Sequence, residues 1–556
     1  MQQRSNANPD TSRPLKVLHI GNIANNAFVA ASILNSNAIE SHVLAADYYH
    51  THGCPEWESA EIKGDWGDDF FPAWHKVDLG GYKRPRWFAQ GPRYAAIRYL
   101  IALNEGRRLT AWVNWRYMIF NQYLMTLPFA RKVFHKVWNS RYTLLVRRFL
   151  RFDHPGPPPG RGKPPFPGME YALPPKASQR LASLIRTPRQ SEVARLRIQY
   201  ALQSAVWEKE VQQRKLKNLP PPPPLLDPVA NFWAEAVHHD VDVHLWRRLF
   251  SHYDIVVGYA TDGIWPLAAG KPYVALEHGT IRKLPFEVSY FGRQTAAVYQ
   301  NASAVFITNC DNNRAAEKLG IKNYHFIPHP TTETQIDEQR EKAAVLRRKL
   351  EAERDCDYIV FHPSRHHWDK ELRDSNWDKG NDRIIEAFAE IVKEHKVRGL
   401  LILVEAGQTV AKSKDLIAAL GIGSRVLWMK TQPHRSFIRF LLASDVIADQ
   451  FGPPLSFGGN PPKAMLCSRP VIGVCDNELV RWCFPEPPPI LFTPTADIIT
   501  AELLRLYKDP EARDQLGRRG KDWYSKYYSN AVFLDIFKNV CKQVAQNRSG
   551  ERAPIG

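Results

Sequence analysis

The sequence predicts an α/β protein built from two doubly wound parallel sheets in tandem. Short runs rich in Val, Ile and Leu alternate with helix-length amphipathic segments, which is the pattern of strand–helix–strand units with parallel strands. This pattern occurs twice, once before and once after the pair His329-Pro330. The length of 556 residues also indicates more than one domain, because a single hydrophobic core stops growing at roughly 250 to 300 residues. We therefore expect one domain over residues 15–330 and a second over residues 331–509.

The first set of the pattern contains six predicted strands, at residues 15–21, 41–47, 253–259, 272–278, 304–308 and 324–328. A long segment between the second and third strands does not continue the alternation, so we predict a mostly helical insertion over residues from about 60 to 250. It contains proline-rich stretches at 155–175 and 220–224. Because proline runs favour extended polyproline II, we interpret these stretches as linkers or surface arms, or alternatively as ligands of a proline-recognition domain.

The second set contains five predicted strands, at residues 357–363, 399–406, 424–430, 445–450 and 470–474. Helices are predicted between them, for example over 382–395 and 434–443. Residues 510–546 have a helical pattern and carry aromatic side chains that can pack onto a neighbouring surface: Trp523, Tyr524, Tyr527, Tyr528 and Phe533. We expect this segment to form a closing helical tail.

The composition indicates a folded protein of a reducing compartment. Hydrophobic residues make up 44% and aromatic residues 11% of the chain, which argues against a disordered or collagen-like protein. The seven cysteines are scattered and form no CxxC pair. Residues 1–14 lack the apolar region of a signal peptide, and no run reaches about 18 apolar residues. We expect a cytoplasmic protein that does not span a membrane.

The positive charge is concentrated in the insertion. Residues 83–219 contain 27 Lys and Arg against 6 Asp and Glu, a net charge of +21, whereas the whole chain carries +18. The rest of the chain is therefore nearly neutral, at −3. An acidic partner is expected to bind the insertion.

The second half contains two cations at one predicted strand end. The predicted strand segment YIVFHPSR ends at Arg365, and Lys379-Gly380 directly precedes an amphipathic helix. A diphosphate can be neutralised by such a pair, because Arg can bind two oxygens at once and Lys acts as a point charge. On spacing alone, Arg and Lys near a turn are more often solvated surface groups.

This order of motifs, with the downstream segment DQFGPPLSFGGNPPKAMLCSRPVI, resembles the retaining GT-B glycosyltransferases usually called glycosyl transferases group 1. The resemblance implies two Rossmann-like domains and a donor diphosphate held by Arg365 and Lys379 as catalytic groups. It places Asp449, the loop containing Gly458 and Gly459, and Lys463 at the donor site. Glycines in such a loop let backbone N–H groups approach an anion, and the following helix points its positive N-terminus at it.

The sequence departs from the family at two points. Lys463 stands where the family has a Glu that binds the donor ribose, and Lys has no acceptor atom. The E-x7-E spacing is also absent, because the same distance before position 463 falls on Leu455. The resemblance implies sugar transfer from a nucleotide diphosphate sugar to a glycan or lipid-linked acceptor, in polysaccharide or glycoconjugate biosynthesis. A noncatalytic GT-B protein that binds a glycan or partner and a GT-B sugar-nucleotide epimerase are the alternatives.

The first half supplies the expected acceptor side. Gly21 and Asn22 follow the first strand and resemble the family's first glycine loop, although Gly21 could serve an ordinary tight turn. The strand in PYVALEHG places Glu277 and His278 at its end. A neutral His278 could hydrogen-bond a sugar hydroxyl or the leaving phosphate, with Glu277 orienting it. A lone histidine is more often structural, but the resembling family often has a functional histidine at this position, so we predict a catalytic role for His278.

No metal or cofactor is expected besides the nucleotide sugar itself. The resemblance implies a metal-independent reaction in which Arg365 and Lys379 replace a divalent ion. The pair His366-His367 lacks partners at metal-site spacing.

The aromatic and basic residues of 112–138 predict docking on an anionic membrane surface through residues 83–219. Alternatively, these aromatics form a core of the insertion, or an acidic polysaccharide occupies the basic surface. Nucleic acid is not expected as a partner, because no recognised nucleic-acid motif accompanies the charge.

Overall fold

The computed structural model describes residues 15–131, 243–286, 290–369, 378–452 and 456–550, together with residue 371 and a few positions between 206 and 222. All predicted strands lie in these parts. The N-terminal residues 1–14, the stretch 155–175 and most of 220–224 lie outside the described residues, as does the part of 112–138 that follows residue 131.

The first domain is built on a parallel sheet of seven described strands in the order β3-β2-β1-β4-β5-β6-β7. The strands are β1 (Lys16–Ile20), β2 (Glu40–Ala46), β3 (Phe88–Gly91), β4 (Ile255–Tyr259), β5 (Val274–Leu276), β6 (Ala304–Ile307) and β7 (Tyr324–Phe326). The order reverses at β1, so this is a doubly wound sheet. All six predicted strands of this set are present. The seventh, β3, pairs in parallel with β2 at the edge of the sheet.

Helices cover both faces of the first sheet. They are α1 (Asn26–Ser36), α2 (Pro55–Ser59), α3 (Arg93–Asn104), α4 (Arg108–Thr126), α5 (Val243–Ser251), α6 (Ile264–Ala268), α7 (Tyr290–Gln300) and α8 (Asn313–Lys318). Alternate residues of each strand point to opposite faces. Leu18 and Val256 therefore join a core with α3, α5 and α7, whereas Val17 and Val257 join a second core with α1.

The predicted insertion is partly a piece of the first domain. β3, α3 and α4 all lie within residues 60–250, and α3 contributes Ile97, Leu100 and Ile101 to the core of the first sheet. The insertion therefore does not begin near residue 60. The short strand FAQG was not predicted because it has little apolar alternation and is followed by Pro92.

The second domain has a parallel sheet of six described strands in the order β10-β9-β8-β11-β12-β13. The strands are β8 (Tyr358–His362), β9 (Gly399–Val404), β10 (Val426–Met429), β11 (Val446–Ala448), β12 (Val471–Gly473) and β13 (Ile490–Phe492). The five predicted strands are confirmed, and β13 is additional. It was not predicted because it has only three residues and directly follows three prolines, 487–489.

The helices of the second domain are α9 (Gln335–Arg354), α10 (Asn381–Lys393), α11 (Val410–Ala419), α12 (His434–Ala443), α13 (Asn460–Leu466), α14 (Asn477–Val480), α15 (Ala496–Lys508) and α16 (Pro510–Tyr527). The last helix, α17 (Asn530–Gly550), returns to the first domain. Trp523 and Tyr528 pack in the second domain, whereas Phe533 and Phe537 pack against α1 and the first sheet. Two Rossmann-like domains closed by a returning C-terminal helix form the predicted GT-B architecture.

Within the described residues, no helix is long and apolar enough to cross a membrane.

Candidate functional site

The carboxyl ends of the strands in both sheets meet at a cleft between the domains. The loops after β5 and β6 carry Arg282 and Asp311, which form an ion pair with 2.8 Å between Nε and Oδ2. From the second domain, the Ser456 hydroxyl donates to Asp311 Oδ1 at 2.6 Å. The indole Nε1 of Trp482 donates to the carbonyl of Cys310 at 2.7 Å. These contacts connect the two domains at one end of the cleft.

Lys379 is held between two loops of the second domain. Its N–H donates to the His367 carbonyl at 2.7 Å, and its carbonyl accepts from Phe451 N–H at 2.8 Å. Gly380 has φ of 60°, and a Cβ there would lie 2.8 Å from the carbonyl carbon of Phe451. Only glycine therefore allows this close approach. Lys379 Nζ donates to Gln450 Oε1 at 2.6 Å, which fixes the position of the ammonium group.

Arg365 lies after β8 and close to Lys379, so the structure brings the two predicted cations together. Asn381, at the start of α10, fixes this turn by donating to the Arg365 carbonyl at 3.3 Å and accepting from His367 N–H at 3.0 Å. The surrounding protein lowers the pKa of Arg365, although its side chain stays open to the solvent of the cleft. Burial also lowers the pKa of Lys379; the charge of Asp449 raises it, and that of Arg365 lowers it.

Asp449 is hydrogen-bonded to the glycine-containing loop after β11. It is 4% exposed and accepts hydrogen bonds from the Asn460 side chain, from Gly458 N–H and from the Ser364 hydroxyl. Burial raises the pKa of this carboxyl, and the charge of Lys379 acts against the rise. The contact of Asp449 with a donor stays a prediction, since its described partners all belong to the second domain itself: Asn460, Gly458 and Ser364.

The helix after the glycine loop offers fewer amides than the sequence suggested. α13 has seven residues, and Pro461 and Pro462 stand in its first turn. Proline has no N–H group, so part of the usual donor set of a helix N-terminus is missing. Gly459 has open space around its Cα, because a Cβ there would meet nothing within 4 Å.

Lys463 reaches the boundary with the first domain. Burial lowers its pKa, and the negative charge of Glu58 on α2 opposes this shift. Glu58 Oε1 accepts from the Thr332 hydroxyl at 2.9 Å and lies 3.4 Å from His434 Nδ1. A carboxylate is therefore present near Lys463, but it comes from the other domain. His52 lies in the same region, because the charges of Lys463 and Arg365 both lower its pKa.

Gly21 and Asn22 form the turn after β1. Gly21 has φ of 90°, and a Cβ there would lie 2.4 Å from Asp262 Oδ2, so the position requires glycine. Asn22 is 2% exposed and supports the loop: its amide donates to Asn25 Oδ1 at 2.9 Å and to the Gly53 carbonyl at 3.0 Å. These bonds hold the Asn22 side chain within the loop. A contact of Asn22 with the acceptor substrate stays a prediction.

His278 is bonded to Asn26, the first residue of α1. Asn26 Nδ2 donates to His278 Nε2 at 3.0 Å, and Asn26 Oδ1 accepts from His329 Nδ1 at 3.2 Å. The two rings stand edge to face, 5.2 Å apart. Burial lowers the pKa of His278 to about 4, so the ring is neutral at pH 7. With Nε2 accepting, the proton is on Nδ1, a buried atom without a partner among the described residues.

Glu277 does not hydrogen-bond His278. Its Oε2 accepts from Gly279 N–H at 2.6 Å, and its Oε1 accepts from the Thr308 hydroxyl at 3.3 Å and from Asn309 Nδ2 at 3.4 Å. Burial raises the pKa of the Glu277 carboxyl. Glu277 thus connects the loops after β5 and β6. The residue that orients His278 is Asn26 and not, as predicted from the sequence, Glu277.

The sequence predicted no role for Asn26, His329 or Glu58, and nothing in it separated Asp262 from plain loop residues. Asn26 and His329 meet across 303 positions of the chain, and no local pattern reveals such a contact. Asp262 lies against Gly21, and burial raises its pKa to about 6. The only local signal was that residues 25–26 are polar at the turn into α1.

His366 and His367 are parts of the second domain's packing. His366 Nδ1 lies 2.8 Å from the Ser413 hydroxyl, and His366 is fully buried. Across the part of the chain that the structure describes, no group of three or more His, Cys, Asp or Glu is arranged to hold a metal ion.

No family model matches the chain, and no curated protein matches it. Solved structures with a similar course of the chain include Anabaena HepE in complex with UDP, at 17% identity over 55% of this chain and 82% of that one, with a TM-score of 0.42. Sucrose-phosphate synthase of Thermosynechococcus elongatus is 18% identical over 56% and 77%, with a TM-score of 0.40. UDP-GlcNAc 2-epimerase of Neisseria meningitidis bound to UDP-GlcNAc is 12% identical over 56% and 82%, with a TM-score of 0.37.

Proposed function

We propose that the protein is a glycosyltransferase that moves a sugar from a nucleotide diphosphate sugar to a glycan or lipid-linked acceptor. The observation that supports this most is the pairing of Arg365 and Lys379 at one strand end of the interdomain cleft. Their like charges repel each other, and a diphosphate between them would remove the repulsion. Charge that develops on a departing nucleotide diphosphate would be stabilised by the same pair.

His278 supplies a hydrogen-bond donor from the opposite domain. Its Nδ1–H is unpartnered among the described residues, and Asn26 fixes the orientation of its ring. Nδ1 is buried in the closed structure, so donation from this tautomer to a sugar hydroxyl or to an oxygen of the leaving phosphate requires the cleft to open around it. In the family that the sequence resembles, the anomeric configuration of the sugar is retained, and we extend this outcome to the proposal.

Donor recognition in this proposal combines Lys463 with Glu58. Glu58 provides the acceptor oxygens that Lys463 lacks, and both groups lie at the domain boundary. A nucleotide sugar bound there would contact both domains, so donor binding would also stabilise the closed cleft. The reaction requires no metal in this proposal, because Arg365 and Lys379 carry the charge that a divalent ion would otherwise supply.

Lys463 also favours the noncatalytic alternative, since a site that lost its ribose-binding Glu could bind without turnover. One experiment separates the proposals: the purified chain is incubated with a panel of sugar-labelled nucleotide sugars, with and without EDTA. Release of nucleoside diphosphate with sugar transfer or hydrolysis supports the transferase. Nucleotide binding without release would identify a binding protein, and a changed sugar on an intact nucleotide would identify an epimerase.

A further inference from the structure

Helix α4 is fixed to the first domain by one face only. Trp115 and Met118 are buried, and Met118 lies against Gly91 of β3. The Tyr49 hydroxyl donates to Asn121 Oδ1 at 2.7 Å. The guanidinium of Arg86 stacks on the Trp115 ring, 4.6 Å from its centroid. The inner face of α4 is thus fully used by contacts within the domain.

The outer face of α4 presents large apolar side chains to solvent. Their exposed fractions run from 38% for Tyr117 to 74% for Leu109. The set comprises Leu109, Trp112, Val113, Tyr117, Ile119, Phe120 and Tyr123. With 3.6 residues per turn, these positions fall on one side of the helix, opposite the buried Ala111, Trp115 and Met118. A contiguous apolar patch of this kind marks an interaction site, whereas single exposed hydrophobic residues do not.

Exposed arginines accompany this apolar face, while the acidic Asp47 acts on Tyr117 at its edge. Residues 93–126 contain five Arg and a single acidic residue, Glu105. Glu105 is already paired with Arg107 at 2.7 Å and with Arg248 at 2.8 Å. Arg108 and Arg116 are exposed and form no ion pair with any described residue. The surface therefore combines aliphatic and aromatic side chains with uncompensated cations.

We infer that the outer face of α4 binds the surface of a membrane that contains anionic lipid. Aromatic side chains favour the headgroup boundary, and an interfacial helix buries its apolar face by about 5 to 10 Å. Each basic residue near anionic headgroups contributes on the order of 1 kcal/mol. Polyanions such as nucleic acids or acidic glycans match the arginines but offer nothing to Leu109, Val113 and Ile119. The inference goes beyond sugar transfer and does not depend on it.

Vesicle flotation of the full-length protein tests this inference. Binding to phosphatidylcholine vesicles should rise with the fraction of phosphatidylglycerol and weaken as NaCl is added. The double variant Trp112→Ser/Phe120→Ser should lose more than about tenfold in partition constant, because two apolar side chains no longer enter the lipid. Arg116→Glu should weaken binding to the anionic vesicles only.

A matched control is available in the second domain. Val345 and Phe492 are also exposed, at 54% and 56%, and the pair Val345→Ser/Phe492→Ser should bind vesicles as the wild type does. Circular dichroism should show that both double variants are folded. Wild-type protein that stays soluble at low salt and high phosphatidylglycerol overturns the inference, as does equal binding by Trp112→Ser/Phe120→Ser. A dimer that this variant abolishes, without vesicle binding, would assign the face to a second copy. Faster proteolysis within residues 132–205 of that variant, again without vesicle binding, would assign the face to this segment of the chain.

Discussion

Lys379 and Lys463 are two lysines in the same cleft with different surroundings. Lys379 donates to Gln450 and lies beside Asp449. Lys463 has Glu58 as its acidic neighbour, and the Oε1 of Glu58 already accepts from the Thr332 hydroxyl. Both lysines are half-buried, and lysine is rarely withdrawn from water without a partner. Each of these residues is therefore expected to affect the binding of an anionic substrate, and Lys463 should be the more sensitive to the nature of that substrate.

Lys379→Ala should lower kcat/KM for sugar transfer by about a hundredfold or more, because a group that stabilises the leaving diphosphate is lost. The fold should be unaffected. Lys393→Ala is the matched control, since Lys393 is exposed at the other end of α10, the helix that follows Lys379. Steady-state kinetics of the two variants provide the measurement. Unchanged kinetics in Lys379→Ala would remove this residue from the diphosphate site.

Lys463→Glu should change the affinity for nucleotide sugars or the preference among them. The substitution replaces a cation with a hydroxyl acceptor and places a second carboxylate near Glu58. Lys463→Met is the control that removes the charge while keeping the length of the side chain. Calorimetric titration with each nucleotide sugar of the panel gives the affinities. If all three proteins bind every donor equally, Lys463 does not contact the donor.

At the level of elements, the two segments in which the chain crosses between the domains are hydrogen-bonded to each other. The chain crosses once before α9 and again between α16 and α17. Asn530 bonds to the backbone of Thr331 in both directions, through Nδ2 to the carbonyl at 2.6 Å and through Oδ1 from the N–H at 3.1 Å. The Glu333 carboxylate accepts from Asn530 N–H at 2.7 Å. The returning helix α17 therefore packs in the first domain, and its first residue links the two crossings.

Phe537→Ala should reduce the free energy of unfolding by about 3 to 5 kcal/mol, because it removes a buried aromatic side chain and leaves a cavity. Phe537 is fully buried, and its ring stacks on those of Phe306 at 5.7 Å and His19 at 6.1 Å. Urea unfolding monitored by fluorescence provides the measurement. Phe492→Ala, at an exposed site, should change stability by less than about 0.5 kcal/mol. Equal stability of the two variants would mean that α17 does not support the first domain.

The strands that the sequence predicted are those with long apolar runs, such as the GLLILV of β9. β3 and β13 escaped prediction because they are short and stand next to prolines, so their position is decided by pairing with a neighbouring strand. The same division holds in the site. Arg365 and Lys379 were predicted because both follow from one strand and one turn. Asn26 and His329 were not, since only the packed fold brings them together.

At the level of the whole molecule, α2 of the first domain closes onto α9 and α12 of the second. Arg435 Nε donates to the Ser59 carbonyl at 2.8 Å, and Arg439 pairs with Glu61. Lys342 also binds Glu61, at 2.9 Å. His434 is buried at this boundary and His52 is half-buried beside it, and burial lowers the pKa of each to about 4. The closed arrangement therefore depends on neutral imidazoles at the domain boundary.

Acidification should consequently destabilise the closed protein. Burial lowers the pKa of His52, His278 and His434 from 6.5 to about 4. Between these values the unfolded chain binds more protons than the folded one, so the free energy of unfolding falls as the pH drops from 6.5 towards 4. Above pH 6.5 the contribution of these neutral histidines to stability is complete. Each pKa unit corresponds to about 1.4 kcal/mol. The charge of Lys463 also lowers the pKa of His52 and of His434, and the charge of Arg365 lowers that of His52. The charge of Glu58 raises the pKa of both histidines.

Urea unfolding at several pH values between neutral and mildly acidic checks this expectation. His434→Gln removes one of the titrating groups and should reduce the slope of stability against pH, while His395→Gln, at an exposed position of the second domain, should leave it unchanged. The variant His434→Gln still offers an amide N–H to Gln335, whose Oε1 lies 3.0 Å from His434 Nδ1. Loss of the contact alone would shift stability equally at every pH, whereas loss of the titration changes the slope. A slope in His434→Gln equal to that of the wild type would show that burial of this histidine does not drive the acid sensitivity.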